Sequence, residues 1–244
     1  MTKKAMATIV SIGMLIGMLR AAHANSLVTN GGFELTTKGS GQMGFNTDAT
    51  GWTTTGYNFI FAPGTADTTG ATGQYGGLTL WGPGTGSNNG LPKTSPTGGN
   101  FVAADGAFQT APITQTINGL IIGKSYTVGF DWAAAQQSGF NGDTTDQWVV
   151  ALGTETHSTS VVNNVSHAFS GWQHQNLNYV ATSGSEVLSF LANGTPTGVP
   201  PFAVLDGVSL EQTPEPTAMV ALFAGMIGLM LFVRRRSHTK KSIA

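Results

Sequence analysis

Hydrophobic and polar residues alternate along the middle of this 244-residue chain with a period of two rather than 3.6. No stretch of 12 residues forms an amphipathic helix. The alternation predicts strands over residues 113–117, 126–132, 148–152, 186–191 and 202–210. They recur every 10–20 residues with Gly, Asn, Pro and Thr between them, which is the spacing of a sandwich or jelly roll. We therefore expect an all-β fold, with residues 25–213 forming a single jelly-roll-like β-sandwich.

Residues 62–100 interrupt this pattern, because they hold 11 glycines and four prolines and contain only one short strand candidate, at 78–81. One interpretation is a flexible excursion from the sandwich. The other is a set of ligand-binding loops, since long loops on a β scaffold often bind ligands. In that case Trp81 and Tyr75 are the stacking surfaces that we expect to contact a sugar.

The N-terminus has the three parts of a secretory signal. Lys3 and Lys4 precede an apolar run over residues 5–19, and Ala22-His-Ala24 places small residues where a signal peptidase cleaves. The run is too short to span a hydrocarbon core of about 30 Å comfortably. We therefore predict a signal peptide at residues 1–24, removed by signal peptidase, and a mature chain that begins near Asn25.

The C-terminus combines a proline motif, an apolar segment and a basic cluster. Residues 217–233 carry no charge and, as a helix rising about 1.5 Å per residue, would just reach across a bilayer. The flanking residues are Pro214, Glu215 and Pro216 before the segment and Arg234, Arg235 and Arg236 after it. By the positive-inside rule the tail at 234–244 stays cytoplasmic and residues 25–213 lie across the inner membrane.

This arrangement closely resembles the PEP-CTERM sorting signal of bacterial surface proteins. The resemblance implies that the chain is a substrate of exosortase, a membrane-embedded transpeptidase-like enzyme, which removes the tail near the motif at 214–216. It also implies a Gram-negative cell that produces exopolysaccharide. The alternative is a simple membrane anchor with a single span.

Charge is distributed unevenly along the chain. The whole sequence has a net charge of −1, but residues 25–213 hold three basic and 11 acidic side chains and a net charge of −8. An acidic exported domain gives no reason to expect nucleic acid as a partner. The absence of cysteine excludes a disulfide scaffold, a thiolate metal site and a cysteine nucleophile.

The sequence contains none of the common catalytic motifs for serine hydrolases, zinc proteases or nucleotide-binding enzymes. His157, His167 and His174 have spacings that impose no metal geometry, so we interpret them as surface residues. Acidic pairs for glycoside hydrolysis could be drawn from the 11 carboxylates, and a hydrolase is the least favoured alternative. We therefore predict that the protein is not an enzyme.

Short segments in order along residues 26–211 resemble carbohydrate-binding-module-like, galactose-binding-like jelly rolls. Asn30-Gly-Gly-Phe-Glu34 resembles their opening strand, and Leu205-Asp-Gly-Val-Ser-Leu210 their closing strand. The resemblance implies a structural calcium ion that joins these strands, with Glu34 and Asp206 as carboxylate ligands. The alternative is that both carboxylates accept hydrogen bonds from backbone N–H groups at strand ends.

Together these features predict an exported, exosortase-sorted protein of the cell surface or extracellular matrix. Its passenger domain is expected to be a non-catalytic β-sandwich that associates with exopolysaccharide. The alternative from another class is a structural or adhesive surface protein whose partners are proteins.

Overall fold

The computed structural model describes residues 26–214, 225–227 and 229. The predicted signal peptide at 1–24, the basic tail at 234–244 and most of the predicted span at 217–233 lie outside the described residues. Residues 225–227 and 229 are helical. None of the helical residues described belongs to a helix with the length and hydropathy needed to cross a bilayer.

The described chain is nearly all β, with 46% of residues in strands. Its strands are β1 (Gly41–Gln42), β2 (Asn58–Phe61), β3 (Ala71–Gly73), β4 (Gly76–Leu78), β5 (Phe101–Asp105), β6 (Ile113–Asn118), β7 (Ser125–Gln136), β8 (Thr144–Leu152), β9 (Glu155–Ser158), β10 (Val162–Asn164), β11 (Gln173–Val180), β12 (Ser185–Thr195) and β13 (Pro201–Gln212). One turn of 3-10 helix covers Pro83–Thr85. All five strands predicted from the alternation are confirmed, as β6, β7, β8, β12 and β13.

Eleven of the 13 strands form two antiparallel sheets that pack face to face, and β3 and β4 form a separate two-stranded sheet. The larger sheet has the order β1-β2-β5-β13-β7-β11, and the smaller has the order β10-β8-β12-β6, with β9 also paired to β8. Large side chains from both inner faces meet in the main core, among them Phe130 and Trp132 of β7, Trp148 of β8 and Phe190 of β12. This arrangement confirms the predicted β-sandwich and places Trp132 and Trp148 in its core.

The expected opening strand at Asn30–Glu34 is wrong, because these residues form a turn beside β13. Asn30 and Phe33 have left-handed backbone angles, with φ of 53° and 55°. The Phe33 N–H donates to the Asn30 carbonyl at 3.1 Å. At Gly31 the backbone runs so close to β13 that an added Cβ would lie 1.8 Å from the Val208 carbonyl oxygen. The turn places Glu34 near Asp206 in space.

The Gly/Pro-rich residues 62–100 pack against the outer face of the larger sheet. Leu78, Leu80 and Leu91 are buried there in a second apolar cluster, against residues such as Phe59 and Phe202 of the sheet. The strand candidate at 78–81 is displaced, since β4 ends at Leu78 and pairs with β3 in a hairpin. This segment therefore forms a third layer, which does not match the interpretation as an excursion from the sandwich.

Candidate functional site

Two exposed aromatic rings lie side by side where the third layer meets the end of β5. The side chain of Tyr75 is 63% exposed and that of Phe108 is 45% exposed. Their ring centroids are 5.7 Å apart with an interplanar angle of 61°. Tyr57 lies beneath them, 7% exposed, with its ring centroid 5.9 Å from Tyr75 and 5.3 Å from Phe108. The two outer rings thus rest on a buried aromatic base.

Two glutamine amides border the rings. The side chain of Gln109 donates from Nε2 to the Tyr75 hydroxyl at 2.7 Å. Its Oε1 in turn accepts a hydrogen bond from Nε2 of Gln74. We call Gln74, Tyr75, Phe108 and Gln109 the aromatic patch. Apolar ring faces beside amide groups that donate and accept hydrogen bonds are the chemistry that recognises a neutral sugar.

A tight hairpin presents the Tyr75 side of the aromatic patch. Gln74 and Tyr75 form the two-residue turn between β3 and β4. Gly76 follows with a φ of +102°, a backbone conformation that glycine adopts without steric cost. The turn is fixed to the sheet because the buried side chain of Gln42 accepts the Gln74 N–H at Oε1, at 2.9 Å. Tyr75 is therefore held at the tip of a short, anchored loop.

A second turn presents Phe108 and Gln109. The Asp105 carboxylate, at the end of β5, accepts the backbone N–H groups of Ala107 and Phe108 at 2.8 Å and 3.0 Å. Gln109 has a left-handed φ of 45°, and its carbonyl accepts the Tyr57 N–H at 3.0 Å. Sequence reasoning missed this half of the patch. The available signal was Phe108, an aromatic residue in the turn-rich stretch after β5. This stretch has no alternating pattern that would predict its burial.

Trp81 lies outside the aromatic patch. Its indole N–H donates to the Phe140 carbonyl at 2.9 Å. The ring stacks on His167 with centroids 3.9 Å apart and an interplanar angle of 31°. His167 covers one face of the Trp81 ring, and the Trp81 side chain is half-buried. Trp81 therefore offers less free aromatic surface than Tyr75. Of the two stacking residues predicted from the sequence, only Tyr75 therefore belongs to the aromatic patch.

Glu34 and Asp206 approach each other on the outer face of the larger sheet. An ideal Cβ on Gly32 would lie 3.8 Å from Asp206 Oδ1 and 4.0 Å from Glu34 Oε1. Ser95 and Thr97, from the third layer, both donate to Asp206 Oδ2. Glu34 Oε1 accepts the Asn100 N–H at 2.9 Å. Two carboxylates and two hydroxyls from distant parts of the chain therefore converge.

The Asp206 carboxylate is buried and only half satisfied. Its relative exposure is 0%, and Oδ1 has no hydrogen-bond partner. Burial raises the pKa of Asp206 to about 6, although hydrogen bonds from Ser95, Thr97 and the Gly207 backbone oppose the rise. The negative charge of Glu34 raises this pKa further. A buried, unpaired carboxylate oxygen beside a second carboxylate fits the oxygen donors that a hard cation binds.

The three histidines considered in the sequence each have a different partner. His157 pairs with Glu155 at 2.9 Å, and His174 pairs with Asp131 at the same distance. His167 contacts Asn141 at 2.7 Å through Nε2. Within residues 26–214, 225–227 and 229, no group of three or more His, Cys, Asp or Glu side chains is placed to hold a metal ion.

Most of the predicted sorting motif lies beyond the part of the chain that the structure describes. Pro214 is exposed and follows β13 without further secondary structure. Glu215, Pro216, Arg234, Arg235 and Arg236 lie outside the described residues.

No family model matches this chain, and no curated protein matches it either. The chain is similar to a solved CBM4 structure, with 16% identity over 76% of this chain and 99% of the other, at a TM-score of 0.35. It is also similar to the CBM22-1 xylan-binding domain of Paenibacillus barcinonensis Xyn10C. Identity is 13% over 80% of this chain and 99% of the other, and the TM-score is 0.38.

A third similar structure is the enzymatically active domain of tailspike protein 4 from bacteriophage CBA120. Identity is 16%, the match covers 77% of this chain, and the TM-score is 0.36. The chain spans about a fifth, 21%, of that tailspike domain.

Proposed function

We propose that residues 25–213 form a non-catalytic β-sandwich of jelly-roll type that binds polysaccharide through the aromatic patch. The observation that carries this proposal is the exposed pair Tyr75 and Phe108, bordered by the amides of Gln74 and Gln109. Neighbouring exposed aromatic rings form contiguous apolar surface, which is the kind of surface that binding sites present. A sugar ring offers an apolar face to the rings and hydroxyls to the amides, so one ligand satisfies both features.

The charge of the domain favours a neutral polysaccharide. Residues 25–213 carry a net charge of −8, which repels an acidic polymer in the absence of a bridging cation. The four side chains of the aromatic patch are uncharged. Exopolysaccharide with neutral segments is therefore the partner that we propose, and an acidic exopolysaccharide would need divalent cations between the two surfaces.

We further propose that a structural calcium ion binds between Glu34 and Asp206. Asp206 Oδ1, which has no hydrogen-bond partner, and the Glu34 carboxylate would hold it, with Ser95 and Thr97 fixing the other Asp206 oxygen. The bound ion would neutralise the two carboxylates and tie the turn at 30–34 and the third layer to β13. The role is structural, since it joins segments that are far apart in sequence.

Export and sorting complete the proposal. The N-terminal features support removal of residues 1–24 by signal peptidase. The proline motif, apolar segment and arginine cluster support a transient span in the inner membrane, followed by exosortase cleavage near residues 214–216. The mature domain would then reside at the cell surface or in the extracellular matrix.

The alternatives are a structural or adhesive protein with protein partners and, least favoured, a glycan hydrolase. A hydrolase needs a pair of carboxyl groups that reach the substrate. Asp105 and Asp146, two carboxyl groups of the described interior whose charges interact, are 2% and 0% exposed. This burial gives no support to catalysis by that pair.

A polysaccharide pull-down tests the proposal. The purified full-length chain is incubated with insoluble and immobilised polysaccharides, including the exopolysaccharide of the cell that makes it. Retention on at least one polysaccharide, released by the free sugar polymer, is the expected result. Failure to bind any of them, together with capture of a specific surface protein, would support the adhesive alternative instead.

A further inference from the structure

Asp105 is buried directly behind the aromatic patch and organises the turn that presents it. The side chain is 2% exposed, and its Oδ1 atom accepts both hydrogen bonds from the turn, from the N–H groups of Ala107 and Phe108. Oδ2 has no hydrogen-bond partner. Within the part of the chain that the structure describes, no other side chain accepts these two N–H groups, so this carboxylate is the side-chain acceptor that holds the Phe108 backbone.

Neighbouring strands hold Asp105 in place from both sides. Its N–H donates to the Tyr57 carbonyl on the β2 side at 3.1 Å, and its register partner on β13 is Phe202. The next residue, Gly106, approaches β12 so closely that an added Cβ would lie 2.5 Å from the Gly194 nitrogen. The backbone that carries the carboxylate is therefore held by the strands on both sides and by the close contact at Gly106.

Two titratable groups face Asp105 from the elements packed against it. The first is Tyr57, whose ring supports the patch and whose pKa the Asp105 charge helps to raise. The second is Asp146 on β8, whose pKa is also raised in part by Asp105. The residues of β12 and β13 that adjoin it, Gly194 and Phe202, carry no charge. Burial raises the pKa of Asp105 itself to about 6, while the hydrogen bonds from Ala107 and Phe108 favour its ionised form.

We propose that Asp105 is a positioning residue for polysaccharide binding, which in its ionised form holds Phe108 and Gln109 against Tyr75 and on protonation loosens them. The inference rests on the proposed function of the aromatic patch. Hydrogen bonds to an ionised carboxylate are roughly twice as strong as those to a neutral acceptor. Protonation of one side chain thus weakens both bonds of the turn together.

The amide signal of Phe108 tests the positioning role without any glycan. In the full-length chain labelled with ¹⁵N-phenylalanine, this signal is followed from pH 8 to pH 4.5. We expect it to shift with a midpoint near pH 6, as the Asp105 carboxyl takes up its proton. In Asp105→Asn, whose side chain is neutral at every pH, the signal stays constant. A wild-type signal that does not move, or that moves equally in Asp105→Asn, overturns the inference.

Affinity electrophoresis in gels that contain galactomannan, xylan or β-glucan tests the consequence for binding. We expect wild type to bind about three- to tenfold more weakly at pH 5 than at pH 7.5. Asp105→Asn should bind at the weaker level at both pH values. The matched control is Asp143→Asn, because Asp143 also accepts a backbone N–H, that of Ser166 at 2.9 Å, on an exposed loop outside the patch. This control should behave as wild type.

The two measurements separate failure of the inference from failure of the proposed function. Absence of retardation by all three polysaccharides at both pH values counts against the proposed function and removes the role of Asp105 in binding. The Phe108 amide still reports whether Asp105 holds the turn. Retardation that is strong but equal at pH 5 and pH 7.5 leaves the proposed function standing and overturns the inference. If Asp105→Asn does not fold, the wild-type titration decides alone.

Discussion

The side-chain amide of Gln109 donates a hydrogen bond to the hydroxyl of Tyr75 at 2.7 Å, although 34 residues separate them in the sequence. This bond joins the hairpin of the third layer to the turn that follows β5. It fixes the exposed Tyr75 ring next to Phe108 and holds the Gln109 side-chain amide at the edge of that ring. The aromatic patch is therefore assembled by the fold from two separate loops.

Substitutions at Tyr75 should separate ring stacking from hydrogen bonding. Tyr75→Ala removes the ring, and we expect polysaccharide affinity to fall by more than about tenfold. Tyr75→Phe keeps the ring and loses only the acceptor for Gln109, so a loss of about two- to fivefold is expected. Affinity electrophoresis measures both. The control is Ile122→Ala, which removes another exposed apolar side chain from the turn between β6 and β7. Equal losses for Tyr75→Ala and Ile122→Ala would contradict the assignment.

Calcium should stabilise the domain through Glu34 and Asp206. Binding to the folded state at a calcium concentration 100-fold above the dissociation constant adds about 2.7 kcal/mol to the free energy of unfolding. We expect a chelator to lower the melting temperature of wild type and added calcium to restore it. Asp206→Asn and Glu34→Gln should lose this response. A wild-type melting temperature that neither chelator nor calcium changes would argue against the site.

Gly99→Ala provides a second test of the same site from the backbone. An added Cβ at Gly99 would lie only 1.6 Å from Glu34 Oε1, so the carboxylate must move away. Gly98→Ala is the matched control. The φ of Gly98 is +84° and that of Gly99 is +71°, so both are left-handed, but a Cβ added at Gly98 would meet no atom within 4 Å. In both variants, an alanine at positive φ lowers the free energy of unfolding by about 1 kcal/mol. Only Gly99→Ala should also lose the calcium response in thermal unfolding, and equal responses would contradict the account.

Asp146 should make the sandwich less stable as pH rises. Its side chain is completely buried, and neither carboxylate oxygen has a hydrogen-bond partner. Burial raises its pKa well above the usual value, and the charge of Asp105 adds to the rise. Because the folded state binds this proton more tightly than the unfolded state, stability is greatest at low pH and falls once pH exceeds the ordinary carboxyl pKa.

The variant Asp146→Asn removes this penalty. We expect it to raise the free energy of unfolding by about 1–3 kcal/mol at pH 8 and to change it little near pH 3, where the wild-type carboxyl is neutral in both the folded and the unfolded state. Denaturant unfolding at the two pH values measures the difference. Asp143→Asn, at an exposed position, should show no such pH-dependent gain. A destabilised Asp146→Asn at pH 8 would show that the native carboxylate has a partner, such as a bound cation.

The sorting proposal predicts a processing defect. Replacing Pro214, Glu215 and Pro216 with alanine should leave the precursor in the inner membrane, because the exosortase no longer recognises it. Immunoblots of membrane and secreted fractions measure the ratio of precursor to mature protein. Replacement of Arg234, Arg235 and Arg236 should also impair retention before cleavage, by removing the charges that keep the tail cytoplasmic. Normal release of the alanine variant would contradict recognition of the motif, and retention of both wild type and variant in the membrane would support the simple membrane anchor.

The strands could be predicted from the sequence because one face of each is buried in a common core. In β8, for example, the buried positions alternate strictly from Thr144 to Leu152. The turn at Asn30–Glu34 could not be predicted in this way. It has left-handed residues at Asn30 and Phe33, and its backbone packs against β13, which is far away in the sequence. Trp52, which lies in the main core, donates its indole N–H to the Asn30 carbonyl and so ties this turn to the core.

The candidate sites were harder to predict than the strands because long-range packing assembles them. Tyr75 was proposed from its position in a long loop, but its neighbours Phe108 and Gln109 follow a different strand. Glu34 and Asp206 were paired only through a resemblance. The hydroxyls of Ser95 and Thr97 reach Asp206 because the third layer folds back over the sheet, which no local pattern indicates.

The measurement that tests the central claim most directly compares wild type with the double variant Tyr75→Ala/Phe108→Ala in affinity gels containing the exopolysaccharide of the producing cell. Circular dichroism and thermal unfolding first establish that both chains are folded. The account predicts that the polysaccharide retards wild type strongly and the double variant little or not at all. Equal migration of the two proteins, whether both are retarded or neither is, would contradict it.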